Sequence, residues 1–179
     1  AMCDKAGAPL AVAFPLRYSQ PLAQLRAAVQ AGTLGDTLMI RVTAQASDPG
    51  DWPEQPATGA LLRESGHAAD LLGWIWGREV TQVYAEAASR LGGRPADDCN
   101  TLLIALAGGI SASLDTSWSR PAGAWPGART LALEVTGTLG VAQADAFAQK
   151  IELYAGGRGT WQQWGDPLEH LMLADWLAA

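Results

Sequence analysis

The sequence predicts an α+β fold: a large, open, mostly antiparallel sheet with helices packed on one face. Three observations predict it. Apolar residues recur at helical spacing in two stretches before residue 80 and again near the C-terminus. Between them the spacing switches to period two, and short Gly-rich turns join the alternating runs, which demands antiparallel pairing. Helices at two or three places cannot cover both faces of six or more strands, so one face is left open.

The elements follow in order. Met2 to Ala6 reads as the tail of a helix, so the chain opens in mid-element, as a fragment would. Leu10 to Phe14 is a short apolar run behind Gly7 and Pro9 and predicts a buried strand. A helix is expected from Pro21 to Ala31, with Leu22, Leu25, Ala28 and Val29 inward, Pro21 in its first turn and Gly32 as its stop. Thr37 to Ala46 alternates, with Leu38, Ile40 and Val42 on one face. Ser47 to Ala57 is a polar loop around Trp52. Such an aromatic either stacks on a ligand or pins its loop to the body.

The central helix runs from Gly59 to Gly77. Leu61, Leu62, Ala68, Ala69, Leu72, Ile75 and Trp76 form its apolar side, Thr58 is placed to cap it, and Gly77 to end it. Val80 to Ala88 reads as a strand. Cys99–Ala107 and Ile110–Trp118 form a hairpin about Gly108-Gly109. Thr130–Thr136, Val141–Ala146 and Ile151–Tyr154 are further strands, and Pro167–Ala178 closes the chain as a helix carrying an exposed His170.

The chemistry lies on a stripe of the central helix. Arg63, His67, Asp70 and Trp74 sit at i−4, i, i+3 and i+7 and project the same way, with Glu64 three residues before His67. A histidine with a carboxylate one turn away suits proton transfer, because imidazole titrates near neutral pH and the carboxylate fixes its tautomer. The same spacing also serves a partly buried histidine bonded to Asp70 for structural reasons alone.

Composition narrows the function. The formal charge is 12 − 18 = −6, without a basic run, which argues against nucleic-acid binding. No apolar segment has membrane-spanning length, and no signal peptide is evident. Cys3 and Cys99 are too few for a disulfide framework or a Cys-based zinc site, and with two histidines no metal is expected. A cytoplasmic setting and a single domain over residues 1–179 are the resulting expectations.

Gly59-Ala-Leu-Leu followed by Gly66-His67-Ala-Ala-Asp70-Leu-Leu-Gly-Trp-Ile-Trp-Gly77 resembles the signature of the C-terminal domain of the glucose–fructose oxidoreductase / inositol dehydrogenase (Gfo/Idh/MocA) family. Arg17-Tyr18, Gly32-Thr-Leu-Gly35, Trp52, Asp97-Asp98-Cys99-Asn100 and Gly137-Thr138-Leu139-Gly140 agree with it in order. The resemblance implies the substrate-binding and dimerisation half of an NAD- or NADP-dependent oxidoreductase acting on a sugar, inositol or related polyhydroxy compound. It implies His67 as the base that takes the hydroxyl proton while hydride leaves the same carbon. It implies Asp70 as the carboxylate that orients the substrate or the His. Apart from the resemblance, Glu64, Arg63 and Trp52 are read as facing substrate, with Glu64 also able to serve as the supporting carboxylate, and the uncovered sheet face is either the interface of a homodimer or tetramer or a polar solvated surface.

Two features depart from the family. Its Gly-x-Gly-x-x-Gly turn and Glu-Lys-Pro motif are missing, so the Rossmann half lies outside this chain and no cofactor is expected on it alone. Arg63 stands where many members carry Asp; a guanidinium is no base at neutral pH but can clamp an anionic group. A non-catalytic, sugar-sensing domain of the same fold is the alternative.

Overall fold

The computed structural model describes residues 2–48, 58–91, 95–120, 129–148, 150–155, 158–163 and 167–178, the two segments between 150 and 163 by backbone alone. Trp52 lies outside the described residues. In chain order the elements are α1 (Met2–Ala6), a 3-10 turn (Pro15–Tyr18), α2 (Gln20–Gln30), β1 (Thr37–Ser47), α3 (Ala60–Trp76), β2 (Val80–Ala88), β3 (Cys99–Leu106), β4 (Ile110–Arg120), β5 (Arg129–Gly137), β6 (Val141–Asp145), β7 (Lys150–Ala155), β8 (Arg158–Gln163) and α4 (Leu168–Ala178).

Six strands form one sheet in the order β2-β3-β4-β1-β5-β6. Every neighbouring pair is antiparallel except β1 with β4, the two central strands, which run parallel. β7 and β8 pair as a separate hairpin. The α+β reading with an open, mostly antiparallel sheet therefore holds.

The pleat decides what is covered. Ile40, Val42 and Ala44 of β1, Ala112 and Leu114 of β4, Leu102 and Ile104 of β3, and Leu131, Leu133 and Val135 of β5 are buried on one face. Leu71, Leu72 and Ile75 of α3, each 1% exposed, complete that core with Leu22 and Leu25 of α2. Truncating one such side chain, Leu72→Ala for instance, removes about 2–5 kcal/mol in well-packed cores. On the opposite face Met39, Tyr84 and Leu103 remain 47%, 57% and 54% exposed, around a shallow groove of about 360 Å3.

The hairpin turns at Gly108 and Gly109 with φ of +93° and +81°, the two positive values a tight primed turn requires. The two Gly-Thr-Leu-Gly segments meet: Thr138 N–H donates to the Asp36 carbonyl at 3.0 Å, Leu139 N–H to the Leu34 carbonyl at 2.9 Å, and Asp36 N–H to Thr138 Oγ1 at 3.0 Å. Their recurrence along the sequence is a contact in space.

Several expectations fail. Leu10 to Phe14 is not a buried strand: it has no regular structure, and Leu10 and Val12 are 76% and 72% exposed, because no described strand borders it. Leu38 is exposed rather than inward, because the β1–β5 register shifts between Thr37 and Met39. Thr58 does not cap α3; the cap position is Gly59, and the capping group is borrowed from Asp97. β8 was not expected, since Gly159 and two glutamines give it no clear alternation.

Candidate active site

α3 starts where β1 and β4 end. Asp97, just before β3, supplies the missing cap: its Oδ2 accepts from Leu61 N–H at 2.6 Å and its carbonyl from Ala60 N–H at 2.9 Å. Asn100 Nδ2 donates to the same Oδ2 at 2.9 Å. Gly59 lies so close that a Cβ there would fall 1.8 Å from Asp97 Oδ1, which explains a glycine at a position that usually carries its own capping side chain. Ala46, Ala60 and Trp118 pack as a small separate cluster at this end of the domain.

Above that cluster lies a cavity of about 330 Å3 lined by Ala46, Ser47, Asp48, Arg63, Glu64, His67 and Arg129. Its volume sits at the low end of the roughly 300–1,000 Å3 usual for small-molecule clefts. Three expected site residues, Arg63, Glu64 and His67, come together here.

The imidazole of His67 is half-buried and its pKa is lowered from the ordinary 6.5. Burial is the largest cause, and the Arg129 guanidinium adds to it; Glu64 and Asp70 pull the other way, and Arg63 lowers it further. The ring is therefore neutral at pH 7, the form that accepts a proton. Glu64, 8% exposed, has both carboxylate oxygens engaged: Oε1 accepts from Trp118 Nε1 at 3.3 Å and Oε2 from Arg129 Nη2 at 3.5 Å. The Arg129 guanidinium also lies over the Phe147 ring, 5.9 Å from its centroid.

The stripe on α3 divides halfway along. Asp70 is taken by Arg17 of the 3-10 turn in a two-point ion pair, Nε to Oδ2 at 3.0 Å and Nη2 to Oδ1 at 2.5 Å. Trp74 carries the Arg26 guanidinium on its face at 4.8 Å, and its carbonyl accepts from Arg26 Nε at 3.0 Å. Asp70 thus fastens α3 to the turn before α2 and influences His67 through its charge. Sequence reasoning missed Arg129, Trp118, Arg17 and Asp97 as supports of the site. The Asp97–Asn100 run was visible as a landmark; Arg129 is an isolated cation before an alternating strand and carries no local signal.

Among the described residues no group of three His, Cys, Asp or Glu side chains is placed to hold a metal ion. No described helix is long and apolar enough to cross a membrane.

Residues 22–143, from α2 to β6, match the GFO/IDH/MocA C-terminal domain. The chain belongs to that family. This GFO/IDH/MocA domain is 30% identical over 146 residues to the "Uncharacterized oxidoreductase YrbE" of Bacillus subtilis, covering 79% of this chain and 41% of that protein. Among solved structures it is similar to GenD2 from gentamicin A biosynthesis in complex with NAD, at TM-score 0.80 and 22% identity, covering 98% of this chain and 54% of that one. It is also similar to scyllo-inositol dehydrogenase from Lactobacillus casei with bound NAD(H) and scyllo-inositol, at TM-score 0.69 and 18% identity, covering 97% and 53%. The domain spans about half the length, or less, of these proteins.

Proposed function

We propose that this domain is the substrate-binding half of an NAD- or NADP-dependent oxidoreductase acting on a sugar, inositol or related polyhydroxy compound, with the dinucleotide held by a Rossmann half outside residues 1–179. The observation that carries the reading is His67: a half-buried imidazole held neutral, at the wall of a cavity that also holds two guanidinium groups. An alcohol is a very weak acid, so loss of hydride from its carbon must be coupled to removal of the hydroxyl proton. His67 takes that proton. Arg63, on the same wall, stabilises the negative charge that develops on the oxygen. Glu64 holds Arg129 in place, and Asp70 holds α3 against Arg17. A nicotinamide held by residues outside this domain would supply the hydride acceptor. The NAD-bound and polyol-bound relatives support this assignment.

The test is His67→Ala in the complete protein, with NAD(P) reduction by a panel of sugars and inositols as the readout. Turnover is expected to fall by about two to four orders of magnitude, the usual worth of a general base. Undiminished turnover removes His67 from the mechanism.

One observation favours a second reading. Arg63 occupies a position where the resemblance leads one to expect Asp, and a domain that binds a sugar without oxidising it tolerates that exchange. A protein that binds the sugar but never reduces NAD(P) would support the sensor.

The open sheet face, with Met39, Tyr84 and Leu103 exposed on it, is the surface we assign to a homodimer or tetramer.

A further inference from the structure

We propose that Arg129 is an anion anchor, and that the His67 site takes a polyhydroxy compound bearing a carboxylate rather than a neutral polyol. This rests on the reading of His67 as the base.

Arg129 opens β5 and pairs with Ala46 of β1, which brings it to the cavity wall across from α3. Its side chain is 50% exposed, whereas that of its partner Glu64 is 10% exposed. The charge a ligand meets is the guanidinium, with the carboxylate tucked beneath it. The bond between them is long, 3.5 Å, and Glu64 shares itself with Trp118. Phe147 lies against the guanidinium, so its position is constrained by a ring as well as by a carboxylate. A guanidinium has five N–H donors, and the Glu64 bond engages one nitrogen, Nη2. A planar fork of donors on a half-exposed wall suits a planar carboxylate, in the bidentate geometry that hydroxyl groups do not match. Arg63 lines the same cavity and adds a second cation. Asp48 also lines it, on the β1 side, which directs the substrate carboxylate toward β5 and the hydroxyls toward Asp48.

The arrangement couples binding to basicity. The groups that act on the His67 charge are Arg63, Glu64 and Asp70 on α3 and Arg129 on β5. An anion on Arg129 offsets the cation that disfavours protonation of the imidazole, so the ring becomes a stronger base once the acidic substrate is seated.

The test uses the complete protein and two probes, D-glucuronate and D-glucose, with calorimetric binding read separately from NAD(P) reduction. Wild type is expected to bind glucuronate at least tenfold tighter than glucose. Arg129→Gln is expected to weaken glucuronate by about ten- to a hundredfold, the worth of a charge-assisted hydrogen-bond pair, and to leave glucose within about twofold. Arg129→Lys, which keeps the charge and loses the fork, is expected to fall between. Equal weakening of both probes, or a wild type indifferent to the carboxylate, overturns the anchor. Turnover surviving in His67→Ala while glucuronate binding still depends on Arg129 overturns the base and leaves the anchor standing.

Discussion

His67 and Arg129 belong to elements far apart in sequence, and their proximity is what tunes the site. Burial and the guanidinium both disfavour the imidazolium, so the His67 pKa lies below 6.5 despite Glu64 and Asp70 nearby. Removing a positive neighbour must raise that pKa. An NMR titration of the imidazole signals is therefore expected to show His67 moving upward toward its ordinary value in Arg129→Gln. A downward move, or none, would mean that Arg129 does not act on the ring. Sequence spacing brought Arg63, Glu64 and His67 together correctly, because one helix determines their separation. It did not show the ion-pair partner of Asp70, since Arg17 precedes it by 53 positions.

Among the elements, α3 carries the chemistry, and its start depends on a loan. Gly59 has no side chain to cap the helix, and Asp97 reaches in to bond Leu61 N–H. Gly59→Ala pushes a methyl group into that carboxylate and is expected to cost about 1–2 kcal/mol, on the scale of a lost cap. Asp97→Ala should cost a similar amount, and the double variant should cost less than the sum, because both changes remove one interaction. Additive losses in thermal unfolding would contradict the shared cap. α3 ended at Gly77 as expected, since the left-handed stop at φ +61° is written in the local sequence. The cap at its other end was not legible, because it comes from a residue 36 positions downstream.

For the whole molecule, alternation in β1 showed from Ile40 onward which face is covered, and the hairpin at Gly108-Gly109 gave the relative direction of β3 and β4. Strand order was not legible, because the parallel β1–β4 pairing joins segments with α3, β2 and β3 between them. Leu10 to Phe14 misled for a related reason: an apolar run reports an inclination to be covered, and no described element covers Leu10 or Val12 here. The open face has the same inclination. Leu103→Asp, which places a charge amid that face, is expected to shift the complete protein to a smaller species in analytical ultracentrifugation without loss of fold. An unchanged sedimentation coefficient would move the interface elsewhere. The remaining question is whether the domain supplies a base at all. The pH dependence of kcat/KM, measured for the complete protein and for His67→Ala, answers it most directly. Wild type should show an acid limb with an apparent pKa below 6.5, falling as the imidazole is protonated, and the variant should be slower by at least a hundredfold with that limb gone. An identical acid limb in both proteins would show that the proton goes to some other group.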